Sequence, residues 1–470
     1  MTDGFAPLLD QAHTHAARYL QRLPDRPVGV QVTREDLLAA LQVPLGAQGD
    51  DPGAVIDLLA AQAERGAVAC NSPRYFGFVI GGAYPVSLAA DWLVSTWDQN
   101  AGIYVISPVV SVTEEVAAQW LLELFDLPRE SGVGFVTGCQ MANFTCLAAA
   151  RHAVLRKVGW DVEADGLCGA PRINVVVSAE SHITIDVALR YLGLGTRTLK
   201  VESDGQGRMR ADRLGELMAT LDGPTIVCAQ AGNVNTGAFD PLREIGQIVR
   251  RHGAWLHVDG AFGLWARASR QLRELADGIE LADSWATDAH KWLNVPYDCG
   301  VAIVRHRDDH RDAMTSTAAY LVQTQGAERD AVDWVPDFSR RARGVPVYAT
   351  LRALGRDGVE DLVDRCGAHA RQMADDLARE EGVRILNDVV LNQVLVRFGD
   401  DDDTTRAVIA GVQRDGTCWL GGTTWHGMAA MRISVCNWAT SADDARRSSQ
   451  AIARVYRALR ETSERSGTNA

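Results

Sequence analysis

The run Thr287-Asp288-Ala289-His290-Lys291-Trp292-Leu293-Asn294 sets a lysine directly after a histidine and before two apolar residues. A second run, Ala254-Trp255-Leu256-His257-Val258-Asp259-Gly260-Ala261-Phe262-Gly263, is an apolar strand pattern that ends in a carboxylate. An amine in an apolar setting is a nucleophile for carbonyl groups, and a carboxylate at a strand end can hold a ring nitrogen protonated. Together, in this order, the two runs suit pyridoxal phosphate: Lys291 captures its aldehyde and Asp259 keeps its pyridine nitrogen positive. Desolvation is expected to lower the pKa of Lys291 and favour the free amine. A lone lysine would more often be a surface residue with a buried stem, and the ordered pair separates the two readings.

These groups need a scaffold. Strand patterns fall at 134–137, 173–178, 198–202, 225–229, 254–259 and 284–287, with 300–304 possible as a returning strand, and helical stretches such as 142–158 and 241–252 lie between most of them. That alternation predicts a mostly parallel, seven-stranded α/β sheet with helices on both faces. In such sheets, sites gather at the C-terminal strand ends, where Asp259, His182 and residues 230–233 fall. Thr137-Gly138-Cys139-Gln140-Met141-Ala142-Asn143 puts a glycine and small polar groups before a helix, a place for a phosphate among free backbone N–H groups. The first 70 residues read as helical with a break at 46–52, and the aromatic- and glycine-rich run after Asn71 reads as a loop lining a site. Residues 314–333 are polar, alanine-rich and glycine-interrupted, as in a lid. After Arg343 helices surround strand patterns at 392–398 and 430–435, so the expected division is 1–100 (helical, packing on a partner subunit), 101–343 (large domain) and 344–470 (small α+β domain).

Hydrophobic residues make up 47% of the 470, enough for a large core, and the net charge of -13 argues against nucleic acid or an anionic membrane as partner. No signal segment or long apolar run is evident, and the nine scattered cysteines fit a reducing, cytoplasmic setting. No zinc spacing, His-Glu-x-x-His or Gly-x-Ser-x-Gly pattern is present, so no metal is expected. Gly193-Leu194-Gly195 lacks the rest of a dinucleotide loop, and His306 and His310, between arginines, read as a solvated helix face.

From Asn71 to Asn437 the order of these motifs resembles the group II pyridoxal-phosphate-dependent amino acid decarboxylases, which include aromatic-L-amino-acid and glutamate decarboxylases. The resemblance implies a fold-type I, aspartate aminotransferase-like architecture and a homodimer with sites at the subunit interface. It also implies roles. Lys291 binds the cofactor and His290 sits near its phosphate; His182 stacks on the ring face and can donate a proton. Ala261 lies beneath the ring, Asn233 contacts the phenolic oxygen, and Arg340, in Phe338-Ser339-Arg340-Arg341-Ala342-Arg343, meets the substrate carboxylate. Tyr320, a lid tyrosine acting from the partner subunit, protonates the carbanion, where relatives with phenylalanine form aldehydes. Cys139-Gln140 depart from the family's Ser/Thr-containing turn, which leaves the phosphate's side-chain contacts open.

Phe78, Tyr84, Trp97 and Tyr104 come from the region that covers the substrate in relatives, and an aromatic wall suits an aromatic or large side chain. Gly102 and Thr96-Trp97-Asp98-Gln99-Asn100 point instead toward the glutamate-decarboxylase side, so an acidic substrate is the alternative. The expected activity is decarboxylation of an L-amino acid to its amine. Aldehyde-forming decarboxylation, retro-aldol cleavage and transamination are rivals on the same scaffold, and a non-catalytic cofactor-binding dimer is the reading from another class.

Overall fold

The computed structural model describes residues 4–315 and 328–467. All seven strand patterns of the large sheet form: β1 (Gly132–Val136), β2 (Asn174–Ser178), β3 (Leu199–Val201), β4 (Thr225–Gln230), β5 (Trp255–Asp259), β6 (Ser284–Asp288) and β7 (Gly300–Val304). Their order is β1-β7-β6-β5-β4-β2-β3. Only β7 runs antiparallel, paired with β1 on one side and β6 on the other. Every residue of β1, β4, β5, β6 and β7 is buried, which is why these strands read as near-continuous apolar runs. Six strands therefore end at one edge of the sheet. On β5 the period of two decides the faces: Trp255 packs beneath the helix Cys139–Arg156, while Leu256 and Val258 join the opposite core.

A second, antiparallel sheet has the order β10-β11-β9-β8, from β8 (Val383–Ile385), β9 (Gln393–Phe398), β10 (Gly421–Trp425) and β11 (Met428–Ser434). The sequence marked only β9 and β11. The three-residue β8 is too short to show a period, and β10 is glycine- and threonine-rich with alternating half-buried and exposed positions. The helices Gly344–Ala378, which turns at Gly355 (φ 63), Asp402–Asp415 and Ala442–Gly467 pack around it.

The N-terminal region is three helices, Phe5–Arg22, Arg34–Leu41 and Pro52–Gly66, with a further break at 23–33 where Pro24 and Pro27 interrupt the pattern. His310 corrects the solvated-face reading: it is fully buried in the helix Arg307–Met314, bonded through Nε2 to the Trp334 carbonyl, and burial pushes its pKa down to about 4. Among the described residues no helix is long and apolar enough to cross a membrane.

Candidate active site

Lys291 sits three residues beyond the end of β6, in the turn that leads to β7. Two contacts fix that turn. Asn294 Nδ2 donates to the carbonyls of Trp292 (2.7 Å) and Cys436 (2.9 Å), while its Oδ1 accepts from Gly82 N (2.6 Å) and Trp438 N (3.0 Å). Gly81 crosses so close that a Cβ there would lie 1.9 Å from the Lys291 carbonyl oxygen, so only glycine fits. The lysine backbone is thereby clamped between the loop after Asn71 and the second sheet's domain.

The amine does not behave as desolvation alone would dictate. Burial pushes Lys291 down, but Asp288, whose Oδ2 lies 3.0 Å from Nζ, more than offsets it and the pKa ends above its ordinary value. The expected lowering is thus reversed by a carboxylate three residues upstream that the sequence reading left unused. Asp288→Asn is expected to let burial dominate and lower the lysine pKa. Uptake of pyridoxal phosphate, followed by its absorbance, should then speed up at neutral pH and its rate profile shift to lower pH; an unchanged profile would show that Asp288 does not control the amine.

Asp259 closes β5 and is buried. Its Oδ1 accepts from Ala261 N (3.1 Å) and the Cys139 thiol (3.5 Å), and its Oδ2 accepts from Asn143 Nδ2 (3.2 Å). Cys139 is therefore split in role: its backbone N–H donates to Asp288 Oδ1 (2.6 Å) at the start of the helix Cys139–Arg156, while its side chain supports Asp259 rather than a phosphate. That thiol is held far above its ordinary pKa by burial and by the two carboxylates, so it is a donor, not a thiolate. Gln140 is half-buried in the first turn of the same helix.

His182 caps the helix Ile183–Tyr191, with Nδ1 2.8 Å from Thr184 Oγ1; burial lowers its pKa, Asp259 working against that and Lys291 and Arg432 with it. His290 stacks on Tyr297 and accepts Cys299 N–H on Nδ1 (3.1 Å), which leaves the proton on Nε2, 3.4 Å from Asp288 Oδ1. Burial lowers its pKa too.

Two assignments are corrected. Arg340 is committed to Glu114 and not to an open cleft: its Nη1 and Nη2 each lie 2.9 Å from an oxygen of Glu114 and also donate to the carbonyls of Ala101 (2.8 Å) and Phe135 (2.9 Å). Its side chain is 0% exposed, and the unpartnered Nε is buried with it. Asn233 is spent on its own turn. Its Oδ1 accepts from Asn235 N (2.9 Å) and Thr236 N (3.3 Å), and its Nδ2 faces the Glu180 carbonyl (3.4 Å) and Gly207.

Nor do the four aromatic residues form one wall within the chain. Phe78 (φ 53) stacks on Trp419 and Tyr84 meets Trp438 edge-on in the loop crossing Lys291, whereas Trp97 is 43% exposed at a helix end and Tyr104 opens a separate 3-10 turn. Tyr320 lies outside the described residues.

The sequence reading missed Arg432 on β11. Its guanidinium is largely buried, its pKa falls through burial alone, and its one described hydrogen bond is a long one from Nη1 to the Val234 carbonyl (3.4 Å). No acid pairs with it among the described residues, and its charge is felt at His182. A lone cation in the apolar strand Met428–Ser434 was the available signal.

These residues fit pyridoxal phosphate. The helix Cys139–Arg156 begins at Gly138 with no side-chain cap from that residue, and with the Cys139 N–H taken by Asp288 it is the next backbone N–H groups, at Gln140 and Met141, that would face a phosphate. With Lys291 after β6 and Asp259 at the end of β5, the fold and the site are those of a fold-type I pyridoxal-phosphate enzyme.

Comparison with known proteins agrees. Residues 48–398 match the pyridoxal-dependent decarboxylase conserved domain. The chain is 32% identical over 361 residues to human acidic amino acid decarboxylase GADL1, covering 75% of this chain and 68% of that protein. Against the mouse protein of that name it is 33% identical over 328 residues, 68% of this chain but only 59% of the mouse chain. Human cysteine sulfinic acid decarboxylase is 29% identical over 361 residues, covering 75% and 72% of the two chains. In structure, Oryza sativa TDC with PLP and tryptamine superposes with a TM-score of 0.90 at 22% identity, covering 98% of this chain and 99% of that one. The chain belongs to the pyridoxal-dependent decarboxylase family, and its cofactor is pyridoxal phosphate.

Proposed function

We propose that this protein removes the carboxylate of an L-amino acid as carbon dioxide, releases the corresponding amine, and takes a substrate with an acidic side chain. The observation that carries the reading is Lys291 clamped in the turn after β6, 3.0 Å from Asp288, with Asp259 at the end of the neighbouring strand. Bound there, pyridoxal phosphate supplies the sink for the electrons of the broken Cα–carboxylate bond. The chain's own work is positioning and proton control. Arg432, with no competing acid among the described residues, would grip the substrate carboxylate and so orient the Cα–carboxylate bond for cleavage. Asp259, fixed by three donors, holds positive charge at the ring nitrogen. His182, or Tyr320 from the partner subunit, returns a proton to Cα.

The acidic side chain is favoured by the relatives' names, acidic amino acid decarboxylase and cysteine sulfinic acid decarboxylase. The aromatic alternative rests on Phe78 and Tyr84 beside the Lys291 turn. We also infer a homodimer acting in the cytoplasm, with the chain divided at 100 and 343. The three N-terminal helices bury no residue of their own, and Phe5, Leu9 and Leu59 lie exposed, as expected of a face covered by a second subunit.

A panel of L-aspartate, L-glutamate, L-cysteine sulfinate, L-phenylalanine, L-tyrosine and L-tryptophan, scored for carbon dioxide and amine, tests the reading. The acidic members should lead by about tenfold or more in kcat/KM, roughly 1.4 kcal/mol of discrimination. An aromatic lead overturns the substrate class. Aldehyde with peroxide overturns the reaction, and no turnover of any amino acid overturns the enzyme.

A further inference from the structure

A chain of buried polar groups runs beneath the site, and the Asp259 carboxylate, which must receive the Asn143 N–H, sets the direction of its protons. It starts at Trp255, whose indole N–H is a donor and nothing else. Trp255 Nε1 lies 2.9 Å from Ser284 Oγ, so that oxygen accepts. Ser284 then gives its own hydrogen to His257 Nδ1 at 2.9 Å. With Nδ1 accepting, His257 carries its proton on Nε2, which lies 2.9 Å from Asn143 Oδ1. The Asn143 amide is thereby oriented, and its two N–H bonds go to Asp259 Oδ2 (3.2 Å) and Thr184 Oγ1 (3.3 Å). The Thr184 hydroxyl lies 2.8 Å from His182 Nδ1, a nitrogen that the helix N-terminus makes an acceptor. The Thr184 backbone N–H points at the same nitrogen at 3.4 Å.

Trp255, Ser284, His257 and Asn143 are 2% exposed or less, so water cannot break the sequence or reverse it. Burial keeps His257 neutral, with a pKa pushed down to about 4, so the central link does not change its protonation near neutral pH. The opposite arrangement would turn the Asn143 carbonyl toward Asp259, oxygen against carboxylate.

We propose that Asn143 and Thr184 are positioning residues that branch this relay, delivering one hydrogen to Asp259 and one to His182, and so hold His182 as the tautomer protonated on Nε2. The reading rests on the site proposed above and deepens it. His182 is thereby held with its single N–H on Nε2, away from Thr184, as a hydrogen-bond donor. Asp259 receives the other hydrogen, on Oδ2. The same asparagine therefore orders both His182 and Asp259.

The test reads the histidine directly. In uniformly 15N-histidine-labelled, cofactor-loaded protein, His182 is identified by the signal lost in His182→Gln. The parent is expected to show one tautomer, protonated on Nε2. Thr184→Val, which keeps shape and deletes the hydroxyl, should give a mixed tautomer and lower kcat by on the order of tenfold, a fraction of what a whole acid–base group contributes. Thr184→Ser should restore both. Asn143→Ala should disturb His182 in the same direction; if that variant fails to fold, the threonine pair decides alone. A parent signal protonated on Nδ1, or a Thr184→Val spectrum identical to the parent, overturns the relay. Because the tautomer is read without turnover, loss of the decarboxylase reading would appear in the amino acid panel and not here.

Discussion

Lys291→Ala is expected to abolish amine production, by on the order of 10³-fold or more, because it deletes the nucleophile that captures the cofactor. Borohydride treatment of the parent should fix the cofactor to the tryptic peptide containing Lys291, and the variant should yield no such adduct. The protein itself should survive. Asp288 loses one partner at 3.0 Å but keeps the Cys139 N–H at 2.6 Å, and the turn stays clamped by the Asn294 bonds to Trp292, Cys436, Gly82 and Trp438. Only the charge balance changes, with Asp288 left facing the cradle without its cation, a loss of about 1–3 kcal/mol at most. A variant that melts near the parent yet neither traps cofactor nor makes amine is the expected result. Full activity in Lys291→Ala, or an adduct on another lysine, would remove the basis of the assignment.

What could be read from the sequence was whatever has a local signature. Strands buried on both faces announce themselves as apolar runs, and Asp259 and Lys291 stand at the ends of two of them, so the scaffold and its two principal groups were legible. Residues whose role depends on a distant partner were not. Arg340 looked like a free cation because Glu114, which neutralises it, lies 226 positions away on the helix Pro108–Leu124. Arg432 looked like one charge in a strand, and only the fold shows that nothing acidic reaches it among the described residues. The Lys291 pKa is a contest between burial and Asp288, and neighbouring letters do not reveal its winner. Asn143 was noticed as part of a phosphate turn, yet its amide lies below, between His257, Thr184 and Asp259. A helix brings it there from 114 and 116 positions before His257 and Asp259, which no spacing rule could anticipate.

The two arginines should respond in opposite ways. Arg340→Met strands the Glu114 carboxylate, 1% exposed, without its cation, and breaking a buried pair of this kind typically costs about 3–5 kcal/mol. Urea unfolding should therefore show a large loss of stability. Adding Glu114→Met should recover most of it, since a buried pair replaced as a unit by apolar residues is often neutral. Arg432→Met deletes a buried charge that no acid repays among the described residues, so stability should hold or rise. Its effect belongs to the substrate: losing a buried grip on a carboxylate costs about 2–5 kcal/mol, or at least about 30-fold in kcat/KM. Cofactor loading, followed by absorbance, should be retained. If Arg340→Met proved as stable as the parent but unable to bind amino acid, while Arg432→Met kept full kcat/KM, the carboxylate would have to be returned to Arg340 and the Glu114 pair regarded as one that opens for substrate.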